Sequence, residues 1–165
     1  MPTADMMTRY TKASHRVMTT TDRDFDRRLP ITRTMTYGQM RRAVSAHTPV
    51  RVVSDTLPDS LTGVYDESLQ AIVIDIRMTY VSKKCALVHE LFHWMHADDC
   101  CAGSIGGRAE RRARKETAMF LISPDEYVIA EREYDGEIYL MACELDVTVD
   151  VLEDYRRLLE SGHGR

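Results

Sequence analysis

Four cysteines among 165 residues, Cys85, Cys100, Cys101 and Cys143, are too few and too irregularly spaced for a disulfide framework. No apolar run approaches the roughly 20 residues that a membrane helix requires. The N-terminus shows no apolar core followed by a small-residue cleavage site, so no secretory signal is expected. These absences predict a cytoplasmic protein with reduced thiols and no membrane association. Excess positive charge is missing too. The formal net charge of −4 gives no general reason to expect nucleic-acid binding. There is also no internal repeat and no low-complexity tract.

What is present suits one compact domain. The chain is 44% hydrophobic and 29% charged, and a chain of this length buries roughly two-thirds of its unfolded surface. Charge is unevenly spread. Residues 1–48 hold nine Lys or Arg against four acids, and residues 116–165 hold thirteen acids against four Arg. The acidic end reads as a solvated helical surface. Residues 1–33 lack a sustained period and read as a flexible arm. Residues 34–134 form the expected main domain, and 135–165 a helical pair packed on it.

Tyr37, Met40, Ala43 and Val44 recur at helical spacing behind Thr36, a candidate N-cap, and Pro49 ends that helix. Val50–Ser54 and Leu61–Tyr65 are β-type runs, and Asp66-Glu67-Ser68 reads as a turn. Ala71–Ile76 is the strongest strand, with Ile and Val at four of six positions. The last two strands are expected to pair as a hairpin. A long helix should run from about Tyr80 to Ala97, with an apolar stripe of Val81, Cys85, Val88, Phe92 and Met95. A glycine-containing link around 103–107 follows. Helix resumes from about Arg108 to Ile122, before Pro124. Ile138, Met141, Ala142 and Leu145 mark a short helix. Val151, Leu152, Tyr155, Leu158 and Leu159 mark the last, with Thr148 as its N-cap.

The chemistry lies in His89-Glu90-Leu91-Phe92-His93, an HExxH sequence inside the long helix. Residues four apart share a helical face, so both imidazoles can reach one metal ion. Glu90, one residue on from His89, falls beside the ion, where it can take a proton from water. Zinc is the expected ion (Zn2+), with His89 and His93 as ligands and Glu90 as general base. Catalytic zinc normally has three protein ligands. A histidine six residues after His93 is absent, since position 99 is Asp. His96 lies on nearly the same face, but three histidines on one straight helix hardly converge on one ion. Glu110 and Glu116 on the next helix are the carboxylate candidates. Ala113, three residues after Glu110, would let that helix pack closely against the zinc helix.

Other signals carry less. The last two helices have the outline of a helix-turn-helix, but Asp150, Glu153 and Asp154 would repel phosphate, so they read as a packing unit. Arg108, Arg111, Arg112, Arg114 and Lys115 read as the wet face of the ligand-bearing helix. Cys100 and Cys101 lack the spacing of a structural zinc site. Cys85 and Cys143 fall on apolar stripes and are expected in the core. Tyr127, Tyr134 and Tyr139 are open candidates as oxyanion donors.

From Gly63 to about Leu159 the chain resembles the ImmA/IrrE family of metallo-endopeptidases. The residues that carry the resemblance are Gly63-Val64-Tyr65, the Ile-rich Ala71–Ile76, and the HExxH segment. Glu110 three residues before Ala113, and the apolar Thr117–Ser123 ending at Pro124, complete it. The resemblance implies an α+β fold, a small zincin-like domain with a short β-sheet, an active-site helix and a helical C-terminal part. It implies Glu110 as third zinc ligand. It implies a peptidase that cleaves a helix-turn-helix transcriptional repressor of a mobile element or stress response, with the substrate held extended on an edge strand from the Leu61–Ile76 region. The rival expectation is a non-catalytic regulator that keeps the metal and binds a repressor or DNA without cutting.

Overall fold

The computed structural model describes residues 29–98 and 107–162. Helix α1 spans Tyr37–His47. Thr36 caps it in a reciprocal box with Gln39: its hydroxyl accepts from the Gln39 N–H, and the Gln39 amide accepts from the Thr36 N–H. Three strands follow, β1 (Arg51–Asp55), β2 (Gly63–Asp66) and β3 (Ala71–Asp75). β2 and β3 pair antiparallel, as the hairpin pattern predicts. β1 then pairs parallel with β3, giving the order β1-β3-β2. β3 is therefore central, and all five of its residues are buried. That accounts for its unbroken apolar run.

Helix α2 (Tyr80–Met95) carries the HExxH segment. Thr79 caps its start, accepting from the Ser82 N–H at 3.2 Å. The expected amphipathic stripe understates its burial. Lys84 to Trp94 are all buried except His89, because the hairpin, α1 and helix α3 (Gly107–Leu121) pack around it. α2 stops at Met95, two residues short of expectation. Ala97 adopts φ 54°, and the Asp98 N–H returns to the His93 carbonyl at 2.9 Å. This left-handed turn closes the helix.

Ala113 is fully buried, and the Phe92 and Phe120 rings meet edge-to-face at 6.1 Å between α2 and α3. Helices α4 (Pro124–Glu133), α5 (Ile138–Glu144) and α6 (Val149–Gly162) complete the described chain. Among the described residues the fold is thus α+β, six helices and a three-stranded mixed sheet. None of these helices is long and apolar enough to cross a membrane.

α5 and α6, the pair with a helix-turn-helix outline, are joined through Asp146 at φ 52°. The carboxylate of Asp146 pairs with the ammonium of buried Lys84 on α2. α6 packs on α3, where Arg114 grips Asp154 through two hydrogen bonds of 2.7 and 2.8 Å. Cys85 is buried as expected, but Cys143 is exposed. The seven-residue α5 turns Met141 and Ala142 inward, which rotates the next position out to solvent. Cys100 and Cys101, and most of the expected N-terminal arm, lie outside the described residues. At the arm's end, Ile31 is buried and Arg33 pairs with Glu126.

Candidate metal centre

His89 and His93 face the same side of α2, one turn apart, and their Nε2 atoms lie 3.1 Å from each other. Glu110 reaches them from the first turn of α3. Its Oε2 is 3.4 Å from His89 Nε2 and 3.5 Å from His93 Nε2. Three donor atoms bound about 2.0–2.2 Å from one ion at tetrahedral angles would sit roughly 3.3–3.6 Å apart. The two Glu110 separations fall in that range and the His89–His93 separation of 3.1 Å lies just below it, so this group could hold a metal ion. Two imidazoles and a carboxylate suit zinc and also accept other divalent ions.

The alternatives for the third position go elsewhere. Glu116 accepts a hydrogen bond at 2.8 Å from His96, and neither joins the group. His89 and His93 hold the Glu110 carboxyl far below the usual carboxylate range through their hydrogen bonds. Burial alone would pull the His93 pKa down, but the Glu110, Glu90 and Asp98 carboxylates outweigh it and raise it.

Asp98 also belongs to this centre, a role that its place in the sequence does not show. Its Oδ2 lies 3.2 Å from His93 Nδ1, and Arg112 holds both its oxygens at 2.7 and 2.8 Å. Nδ1 of His93 is turned to Asp98 and Nε2 to Glu110 and His89, so in the neutral ring with Nδ1 donating it is Nε2 that could bind a metal ion. Two members of the expected wet basic face are thus structural: Arg112 here, and Arg114 on Asp154.

Glu90 lies on the sheet side of the group. It is 6% exposed, and its Oε2 has no hydrogen-bond partner. Burial raises its pKa; the main opposing influences are the neighbouring His89 and His93, with a backbone hydrogen bond from Tyr65 adding to them. Gly63 makes room for it. A Cβ at that position would sit 3.0 Å from Glu90 Cγ and 3.2 Å from both Glu90 Oε1 and Ile74 Cδ1. Strand β2, a sheet edge among the described residues, therefore passes directly over the carboxylate.

Trp94 is fully buried, and its indole N–H donates to Gln70 at 3.3 Å, tying α2 to the hairpin turn. The Tyr127 and Tyr134 hydroxyls bond Glu131 and Glu144, and Tyr139 is exposed. None of the three lines the cleft of about 470 Å3 that starts at His89 and Glu110 and runs between α2, α3 and α6. Comparison of the chain with family models, curated proteins and solved structures gives no significant match.

Proposed function

We propose that the protein is a metal-dependent endopeptidase, with His89, His93 and Glu110 holding a divalent ion, zinc by preference, and Glu90 as general base. The observation that carries this reading is a pairing of two features. Three donor atoms stand near tetrahedral spacing, and beside them is a buried carboxylate oxygen with no partner. A structural metal site needs no such group, and an unsatisfied buried carboxylate is costly unless a ligand or water meets it.

When bound, a divalent ion in such a site acidifies water toward neutral pH and polarises a peptide carbonyl. The chain's own residues supply the rest. Glu90, with its pKa raised by burial, accepts the proton of the attacking water and passes it to the leaving amine. Asp98 and Arg112 fix the His93 ring. The outer edge of β2 offers main-chain groups to an extended peptide, which would lie across Glu90 as an added strand. The resemblance to ImmA/IrrE peptidases supports a helix-turn-helix repressor as the substrate.

Elemental mass spectrometry on purified wild type and Glu110→Ala tests the metal centre. About one zinc per wild-type chain and much less in the variant supports it. No metal in either removes it. Repressor fragments that depend on Glu90 support the peptidase. Stoichiometric capture of intact repressor would instead establish the non-catalytic regulator.

A further inference from the structure

The cleft that begins at His89 and Glu110 has a chemistry of its own. Met78, Ala86 and Val151 give it apolar walls. Its charged groups are Arg114, Asp150 and Asp154. Asp154 already occupies Nε and Nη2 of Arg114, two of the three guanidinium nitrogens. Asp154 is also held by Arg157 at 3.0 Å. Asp150, in the first turn of α6, is exposed and makes no hydrogen bond or ion pair with any described residue. Beyond the metal group, Asp150 is the cleft carboxylate that no described residue bonds; it feels the charge of Arg114 without a hydrogen bond to it.

Thr117 is a second and independent observation. It lines the same cleft, is 2% exposed, and its hydroxyl has no hydrogen-bond partner. It stands seven residues, two helical turns, after Glu110 on the same face of α3. A buried hydroxyl without a partner is costly, and a ligand bearing N–H donors would satisfy it. Apolar walls, a hydroxyl acceptor and a lone carboxylate together match a side chain with an aliphatic stem and a cationic head.

We infer that this cleft receives the side chain of the substrate residue next to the scissile bond and selects lysine or arginine, with Asp150 as the selecting carboxylate. The inference rests on the peptidase reading and adds a substrate class to it. The stem lies along Met78, Ala86 and Val151. The head donates to Thr117 and Asp150.

The test uses amino-acid hydroxamates, whose hydroxamate group seeks the metal while the side chain probes the cleft. Lysine, norleucine and glutamate hydroxamates are titrated calorimetrically into the zinc-loaded full chain. The expected order is lysine, norleucine, glutamate. Lysine should lead norleucine by about fivefold, the scale of one partly exposed charge pair. Asp150→Asn should erase the lysine advantage, and Asp150→Lys should move the preference to glutamate. Zinc content reports that each variant is folded. Equal binding of all three compounds, or a lysine preference that survives both substitutions, overturns the assignment of the cleft and leaves the peptidase reading standing. Failure of every hydroxamate to bind a chain that demonstrably carries zinc overturns the open metal centre, and the cleft assignment with it.

Discussion

Asp98 lies 3.2 Å from Nδ1 of His93, although it follows the end of the helix that carries the histidine. The left-handed turn at Ala97 brings it back, and Arg112 from α3 holds it there. The carboxylate thereby sets which nitrogen of His93 faces Glu110.

Asp98→Ala should therefore weaken metal binding about 10- to 100-fold, the usual cost of losing a group that orients a ligand. Competition with a chromophoric chelator reads this directly. Glu116→Gln is the control and should leave affinity unchanged, because Glu116 pairs with His96. If Glu116→Gln strips the metal and Asp98→Ala does not, the third ligand has been misassigned.

Glu90→Gln should keep the metal and lower cleavage of a quenched-fluorescent peptide pool by roughly a hundred- to ten-thousand-fold, the range for a positioned proton-transfer group. The glutamine keeps the shape of the side chain but cannot accept the proton. Undiminished turnover would remove Glu90 from the chemistry.

Gly63→Ala tests the close approach of β2. The added Cβ would crowd Glu90 Cγ at 3.0 Å, with Ile74 Cδ1 blocking the other side at 3.2 Å. Overpacking of this kind costs about 1–3 kcal/mol of stability. Metal content should hold while peptide turnover falls, because it is Glu90 that must shift. Wild-type turnover in a correctly loaded variant would show that β2 can retreat without moving the carboxylate.

Asp75 supplies a pH dependence. It is buried at the end of β3, and Arg77 bonds it through its side chain and its backbone N–H, holding its carboxyl well below the usual range. A folded pKa below the unfolded value of about 3.9 contributes stability that is complete above that pH and lost as pH falls beneath it. In metal-free protein, the gap in urea midpoint between wild type and Asp75→Asn should be widest near neutral pH and shrink below about pH 4. A gap independent of pH would mean that the pair contributes through packing alone.

Much of this architecture is local and therefore visible in the sequence. Thr36 caps its helix, Pro49 follows α1, and the Ile-rich run from Ala71 marks β3, which ends at Asp75. The HExxH spacing puts two imidazoles on one helical face whatever surrounds them. Non-local relations were not visible. Nothing in Val50–Ser54 says that β1 joins β3 rather than β2. Glu110 and Glu116 could not be separated by spacing alone, because the rotation of α3 about its axis depends on how it packs on α2, where Phe120 meets Phe92. Asp98 is not legible in the sequence because its role depends on Ala97 adopting a left-handed conformation that alanine seldom takes. Its signal was faint: an acidic residue five positions after the second histidine, with arginines on the following helix.

The three donor atoms come from two helices, seventeen positions apart along the chain, and meet only when α3 lies against α2. An unfolded chain offers no such group. An ion that binds only the folded arrangement adds about 2.7 kcal/mol when it is present at a hundred times its dissociation constant. Because α3 also grips α6 through Arg114 and Asp154, such a gain would extend to the C-terminal helices. The protein's lifetime against proteolysis would then follow the supply of free metal, making its abundance a gauge of scarcity.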